Sequence, residues 1–374
     1  MAGVSLRDRW RSLRTRLLSD PEFQRRATAF PLTRPLAWLG ARRSFDLVAG
    51  FVYSQTLHAL LALGLLERLQ RDPMSLEEIA EAAALEPAAA LRLMKAADAV
   101  DLTERRDDGR WGLGADGAAL AGNPGARAMI RHHHALYRDL ADPIALLRGE
   151  VKETELGKFW RYAREADGGR LKTEDVEDYS RLMAESQSLV ANDILAAYPM
   201  ERHSRILDVG GGDGTFLSAV AGRYPQADLT LFDLPAVSEV ARRRLADRGL
   251  ADRVSVVGGD FAQDALPAGR DLITLVRILH DHEDDKVLTL LSACREALAE
   301  GGALLIAEPM SGTRGGARIA DAYFGFYLLA MGTGRARTPQ EYAGMLESVG
   351  FRIITPLSTR NPLMTRVLVA RVRA

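Results

Sequence analysis

The sequence predicts an α/β protein: a mostly parallel sheet of seven strands covered by helices, with a smaller helical domain ahead of it. Three observations predict this. From Arg205 onward, short apolar runs alternate with amphipathic helical runs. A glycine-rich turn stands where the first of those apolar runs gives way to a helix. Between residues 44 and 120, two short helical runs are followed by the turn signal of a β-hairpin.

The expected strands are Arg205–Val209, Asp228–Phe232, Val254–Val257, Asp271–Leu279, Ala303–Ala307, Phe351–Thr355 and Thr365–Arg371. Helices Thr215–Arg223, Ala236–Arg248, Asp284–Ala299 and Thr338–Val349 fill most of the gaps. Strands joined by helices run parallel and are covered on both faces. Only Ser358–Leu363 separates the last two strands, so they are expected to form an antiparallel hairpin. The layout is an arm over 1–43, a winged-helix-like domain over 44–120, a helical connector over 121–200 that lines a ligand site, and the sheet domain over 201–374.

In the 44–120 segment, Ser75 and Glu78 make a capping box, Ala82–Leu85 a turn and Glu86–Ala97 a second helix. Leu102–Glu104 and Arg110–Leu113 then flank Asp107-Asp108-Gly109. Such a winged pattern can read DNA. Here the second helix offers Ala88, Ala89, Ala90, Arg92 and Lys95, little that reads base edges. Seven basic residues against thirteen acidic ones would also repel a phosphate backbone. Nucleic-acid binding is therefore not expected, and a structural or dimerisation role is. The whole chain of 374 residues has a net charge of -1, which also argues against a nucleic-acid partner.

The arm is different. It holds ten arginines and three acids, a net +7, interleaved with Trp10, Phe23, Phe30 and Trp38. Arginines beside aromatics suit an anionic lipid surface, and they also suit packing on a partner subunit. Leu47–Leu66 carries no formal charge and is long enough to span a bilayer. Tyr53, Ser54, Gln55, Thr56 and His58 within it favour a buried or subunit-facing helix. The single cysteine, Cys294, suits a reducing compartment, and with no signal peptide at the N-terminus this places the protein in the cytoplasm, with peripheral contact at the inner membrane if the arm binds lipid.

In the connector, Ala126–Leu147 and Val176–Tyr198 read as long helices with a break at Asp167-Gly168-Gly169. His132-His133-His134 resembles a metal cluster, but helix neighbours one apart diverge. A solvated or partner-facing surface is expected there, and no metal.

The chemistry is carried by strand ends. Asp208 through Thr215 (D-V-G-G-G-D-G-T) follows a strand and opens a helix. Gly210 and Gly212 let backbone amides approach a ligand closely. A dinucleotide fingerprint would need a third glycine at 215. Asp208 just ahead of the loop suits an ammonium and would repel a pyrophosphate. Asp233 ends the next strand, where a carboxylate takes ribose hydroxyls. Asp260 and Phe261 follow the third strand and suit the amino group and face of an adenine. Together these describe a site for S-adenosyl-L-methionine. The fourth strand leads to His280-Asp281-His282, and a histidine at such a place can take a proton from a hydroxyl. Glu308, at the end of the fifth strand, can hold its imidazole in one tautomer.

These motifs resemble the dimeric small-molecule O-methyltransferases, whose D-x-G-G-G-x-G, F-D-L-P, G-D-x-F, I-L-H-D-W and A-E runs match Asp208–Thr215, Phe232–Pro235, Gly259–Phe261, Ile278–His282 and Ala307–Glu308. The resemblance implies a Rossmann-like methyltransferase sheet and a winged-helix dimerisation domain, hence a homodimer. It also implies that His280 is the general base, with Glu308 and the adjoining Asp281 completing the catalytic set. Over nearly the whole chain, Phe30–Pro35, Phe45–Gln55 and Phe326–Thr338 are similar to bacterial acyclic-carotenoid O-methyltransferases. Those enzymes methylate the tertiary C-1 hydroxyl of hydroxyneurosporene or demethylspheroidene, so a hydrophobic acceptor is implied.

Three departures bear on this. His282 replaces the aromatic after H-D and is a second candidate base. Phe261 follows Asp260 directly. In Gly334-Arg335-Ala336-Arg337-Thr338, the acid that members acting on phenols carry is missing. A phenolic or polyketide-like acceptor, and a non-catalytic winged-helix regulator, are the alternative readings.

Overall fold

The computed structural model describes residues 5–160, 190–361 and 365–372. The chain divides into two compact units, residues 1–121 and 122–374.

The first unit is helical. Helices α1 (Leu6–Ser19), α2 (Pro21–Ala29) and α3 (Arg34–Ala62) make up the arm and its continuation. Asp20 ends α1 and its carboxylate accepts from the amides of Glu22 and Phe23, which turns the chain into α2. Every described side chain of α1 and α2 is exposed or half-buried, and Trp10 and Trp38 are 62% and 74% exposed. The uncharged Leu47–Leu66 stretch straddles α3 and α4 (Leu65–Arg71), which are bent by 67° at Leu63-Gly64. No single described helix is long and apolar enough to cross a membrane. Phe45, Leu47, Val48 and Phe51 face outward from α3, whereas Leu60 and Leu61 are buried.

The capping box forms as expected at α5 (Leu76–Ala83): Ser75 Oγ accepts from the Glu78 amide and Glu78 accepts from the Ser75 amide. After α6 (Pro87–Asp98), strands β1 (Thr103–Arg105) and β2 (Trp111–Leu113) pair antiparallel as a short wing. Arg110 ties the wing back, donating to the Pro73 carbonyl and to Glu78. Helix α7 (Ala115–Ala121) closes the unit.

The second unit begins with α8 (Pro124–Asp139), α9 (Pro143–Leu147) and α10 (Glu155–Phe159). The single helix expected over Ala126–Leu147 is thus two. Pro143 disfavours helical geometry at Asp142, and Asp142 instead caps a new helix. Residues 190–197 are helical, while most of Val176–Tyr198 and all of Asp167–Gly169 lie outside the described residues.

The sheet follows: β3 (Arg205–Val209), α11 (Thr215–Arg223), β4 (Asp228–Asp233), α12 (Pro235–Asp247), β5 (Val254–Gly258), β6 (Arg270–Val276), α13 (Asp284–Ala297) and β7 (Leu298–Glu308). Beyond it come α14 (Gly325–Met331), α15 (Pro339–Ser348), β8 (Ile353–Leu357) and β9 (Arg366–Arg371). The strand order is β5-β4-β3-β6-β7-β9-β8, parallel except that β9 runs antiparallel to both its neighbours.

Side chains alternate across the sheet and feed two cores. On one side, Ile206, Leu229 and Leu305 pack with Phe216, Val220 and Leu245 of the covering helices. On the other, Leu207, Ile273 and Ile306 pack with Leu290, Leu291 and Tyr342. Strands β3 and β6 are parallel neighbours at which the order of strand addition changes sense, so a crevice opens at their carboxyl ends, where open α/β sheets hold ligands. Strand β6 stops at Val276, three residues before the expected end. Arg277 takes a left-handed backbone, φ 56°, and Leu279–Asp281 form one 3-10 turn. That turn lifts His280 out of the sheet.

Candidate active site

The glycine turn after β3 and the His280 turn after β6 touch across this crevice. Gly210 has φ 69°, and a Cβ there would stand 2.0 Å from Ile278 Cδ1. The close approach requires glycine. Asp208 ends β3 fully buried. Its Oδ1 accepts from the Thr274 hydroxyl at 2.6 Å, while Oδ2 has no partner among the described residues. Burial pushes its carboxyl up to about 7, more than the Thr274 bond lowers it. A buried carboxylate oxygen without a donor is a place for a cationic or hydrogen-bonding ligand group.

Asp233 Oδ2 accepts from the Gly212 amide and Oδ1 from the Leu234 amide, each at 2.8 Å. It therefore fixes the glycine turn as well as facing the crevice. Burial raises its carboxyl to about 6 against those two bonds. Asp260 accepts from the Ala262 amide at 2.9 Å, and Phe261 beside it forms one wall of the crevice. The structure thus brings Gly210, Asp233, Asp260 and Phe261 to one crevice, with His282 and Lys286 opposite. These donors and acceptors suit a ligand that carries a base, a ribose and a charged amino-acid end.

His280 lies between two carboxylates. Its Nδ1 is 2.5 Å from Glu308 Oε2 and its Nε2 is 3.2 Å from Asp281 Oδ1. Glu308 Oε1 accepts from the amides of Ile278 and Leu279, so this fully buried carboxylate is locked by donors. An acceptor so fixed draws the proton to Nδ1 and leaves Nε2 with its lone pair. Burial lowers the imidazole's proton affinity, but Asp281 and Glu308 outweigh it, and the net shift is upward. Asp281 is pushed up to about 6, chiefly by burial, with His280 opposing.

His282 is held differently. It is buried, pushed down to about 3 by desolvation and then by Lys286, and its Nδ1 has no partner among the described residues. Its ring stands edge-on to Phe261, 5.4 Å between centroids, inside the crevice.

Sequence reasoning missed the clamp on this turn. Arg337 is 0% exposed. It donates to the Leu279 carbonyl at 2.9 Å and the His282 carbonyl at 2.8 Å, bracketing His280, and to Asp284 at 2.6 Å. Gly334, φ 82°, lies against the same turn, and a Cβ there would come 2.1 Å from the His280 carbonyl oxygen. The signal was present in Gly334–Thr338, but an arginine in a loop reads as solvated until its partners are known.

The histidine triplet also differs from expectation. His132 is buried and bonds the Tyr327 hydroxyl at 2.8 Å, and His133 bonds the Tyr323 hydroxyl at 2.8 Å. Only His134 is turned outward, bonding its own helix at the Arg131 carbonyl.

Comparison with known proteins agrees with this geometry. The O-methyltransferase domain model matches residues 137–352, and the O-methyltransferase dimerisation domain model matches residues 45–120. The chain belongs to the O-methyltransferase family. This methyltransferase is 44% identical over 358 residues to the demethylspheroidene O-methyltransferase of Cereibacter sphaeroides, covering 96% of this chain and 94% of that one. Among solved structures it is similar to the mitomycin 7-O-methyltransferase MmcR, with TM-score 0.73 and 26% identity over 90% of this chain and 100% of that one. It is also similar to an O-methyltransferase of neocarzinostatin biosynthesis in complex with S-adenosylmethionine and 2-hydroxy-5-methyl naphthoic acid, with TM-score 0.64 and 25% identity over 86% of this chain and 96% of that one. The methyltransferase uses S-adenosyl-L-methionine as its cofactor.

Proposed function

We propose that this methyltransferase acts on the tertiary hydroxyl of an acyclic carotenoid, and that His280 is its general base. The observation that carries the acceptor is the 44% identity over nearly the full length of a demethylspheroidene O-methyltransferase. The pairing of His280 with Glu308 supports the base. Asp208, Gly210, Gly212, Asp233, Asp260 and Phe261 hold the cofactor. When bound, it supplies an electrophilic methyl group. The acceptor hydroxyl gives its proton to His280 Nε2 as the new oxygen–carbon bond forms, because a tertiary alcohol is too weak an acid to ionise first. The imidazolium that results lies between the carboxylates of Glu308 and Asp281, which stabilise its charge. Labelled S-adenosylmethionine with hydroxylated acyclic carotenoids should transfer label to the tertiary alcohol and not to simple phenols. Label on the phenols alone would overturn the acceptor assignment.

Asp233 carries a second expectation. Asp233→Ala removes the partner of the ribose hydroxyls and the Gly212 amide together, costing about 1–3 kcal/mol of cofactor affinity. Calorimetry with S-adenosylhomocysteine checks this. An unchanged dissociation constant would remove Asp233 from the site.

The protein acts as a cytoplasmic homodimer through residues 44–120, and its arm docks on anionic lipid so that the acceptor enters from the bilayer. What supports the dimer is the matched dimerisation domain together with the outward Phe45, Leu47, Val48 and Phe51. What supports the arm's role is its +7 charge beside exposed Trp10, Phe30 and Trp38. Each basic group near such a surface is worth about 1 kcal/mol and is screened by salt. Full-length protein is expected to float with anionic vesicles at low salt, and a chain starting at Ser44 is not. If the shortened chain instead becomes monomeric by light scattering while full-length protein never floats, the arm packs on a subunit.

A further inference from the structure

The wall beside His280 is aromatic, and its polar handles are turned away. Phe324 stands edge-on to His280 at 5.4 Å, and Tyr323 and Tyr327 continue the wall at 5.2 and 6.2 Å from Phe324. These residues sit on a π-helical turn, Arg318–Phe324, and on α14 directly after it. π-turns are rare and gather at functional sites. Tyr327 is buried and Tyr323 half-buried, and desolvation raises the proton affinity of both hydroxyls, so each stays a neutral group that needs partners.

Those partners come from α8 and from the residue after α10. Trp160 Nε1 can only donate, and it donates to the Tyr327 oxygen at 2.8 Å. The Tyr327 proton is then free to go to His132 Nε2 at 2.8 Å. His132 can accept it because it is neutral: burial, then His133 and His134, push it down to about 4. His133 holds the Tyr323 hydroxyl in the same way.

We propose that His132 is a specificity-determining positioning residue: by accepting the hydrogen bond of the Tyr327 hydroxyl it leaves an apolar face beside His280, selecting acceptors whose only polar group is the hydroxyl to be methylated. This rests on the reading that the acceptor hydroxyl meets His280, and it narrows the substrate class. A monohydroxy chain passes the wall without leaving a polar group unpaired. A chain with a second hydroxyl next to the first buries that group against aromatic carbon and is discriminated against.

The test uses full-length protein and two probes, a 1-hydroxy acyclic polyene and its 1,2-dihydroxy counterpart. Wild type is expected to prefer the first in kcat/KM. His132→Leu frees the Tyr327 hydroxyl to serve the second hydroxyl, and the preference should narrow at least tenfold with S-adenosylhomocysteine affinity unchanged. Adding Tyr327→Phe removes the freed hydroxyl and should restore the preference, which a purely structural role for His132 would not predict. An unchanged preference in the single variant, or no restoration in the double, overturns the proposal. If wild type methylates neither polyene, the acceptor assignment itself is wrong. The same three proteins compared on phenol and catechol then judge the role of His132 separately.

Discussion

Replacing His280 with alanine is expected to lower turnover roughly 10²–10⁴-fold while S-adenosylhomocysteine binding holds, because the base is lost and the cofactor crevice is not. The pH dependence of the wild-type enzyme gives an independent reading. A base must be unprotonated, and the flanking carboxylates raise the proton affinity of His280. The acid limb of kcat should therefore lie above the ordinary histidine value of about 6.5. Asp281→Asn removes one of those carboxylates, so the limb should move toward lower pH. His282 cannot produce this limb, since desolvation holds it near 3. If His282→Ala proves the more damaging change, or if Asp281→Asn leaves the limb in place, the assignment of the base fails.

The largest stability effect is expected at Arg337. Arg337→Met leaves the Leu279 and His282 carbonyls without their donor and Asp284 without its buried partner. Two buried carbonyls left without their donor cost about 1–3 kcal/mol each, while Asp284, half exposed and still paired with Arg335, adds little. For a domain of this size that is a fall in Tm on the order of 10 °C. Turnover should fall as well, since the two lost carbonyl bonds fix the turn that presents His280. Arg335 makes a superficially similar pair with Asp284 and Glu341, but its side chain is 41% exposed. Arg335→Met should cost under about 1 kcal/mol. Thermal denaturation of the two variants side by side is decisive: equal losses would mean that Arg337 does not clamp the turn.

This contrast shows what the sequence could and could not disclose. Strand β3 and helix α11 match the expected bounds because both are decided locally, by an apolar run, a glycine turn and a return to helical period. Asp208, Asp233, Glu308 and His280 could be read for a similar reason. The three acids stand at the ends of apolar strands and His280 in the turn that follows one, and the topology of a parallel sheet brings such ends together. Arg337 was not legible, because its partners lie more than fifty residues earlier and an arginine's ordinary place is the surface. Nor was His132, which stands 195 residues from Tyr327. The end of β6 was misplaced because Arg277-Ile278-Leu279 continues the apolar pattern while the backbone departs from it. The left-handed geometry at Arg277 leaves no mark in hydropathy.

The place of β9 bears on how the chain is made. Strand β7 carries Glu308, and its outer edge pairs with β9, residue against residue from Ala303–Arg371 to Glu308–Arg366. Until residues 366–371 have left the ribosome, the nascent sheet presents β7 as a bare edge, ready to pair with whatever strand it meets. The amino-terminal unit has no such wait, since its hairpin and helices close on sequence-local contacts. Synthesis therefore completes one unit long before the other can set Glu308 in its paired strand. A chaperone that shields the edge of β7 is expected to raise the yield of active enzyme more than one that acts on the first 121 residues.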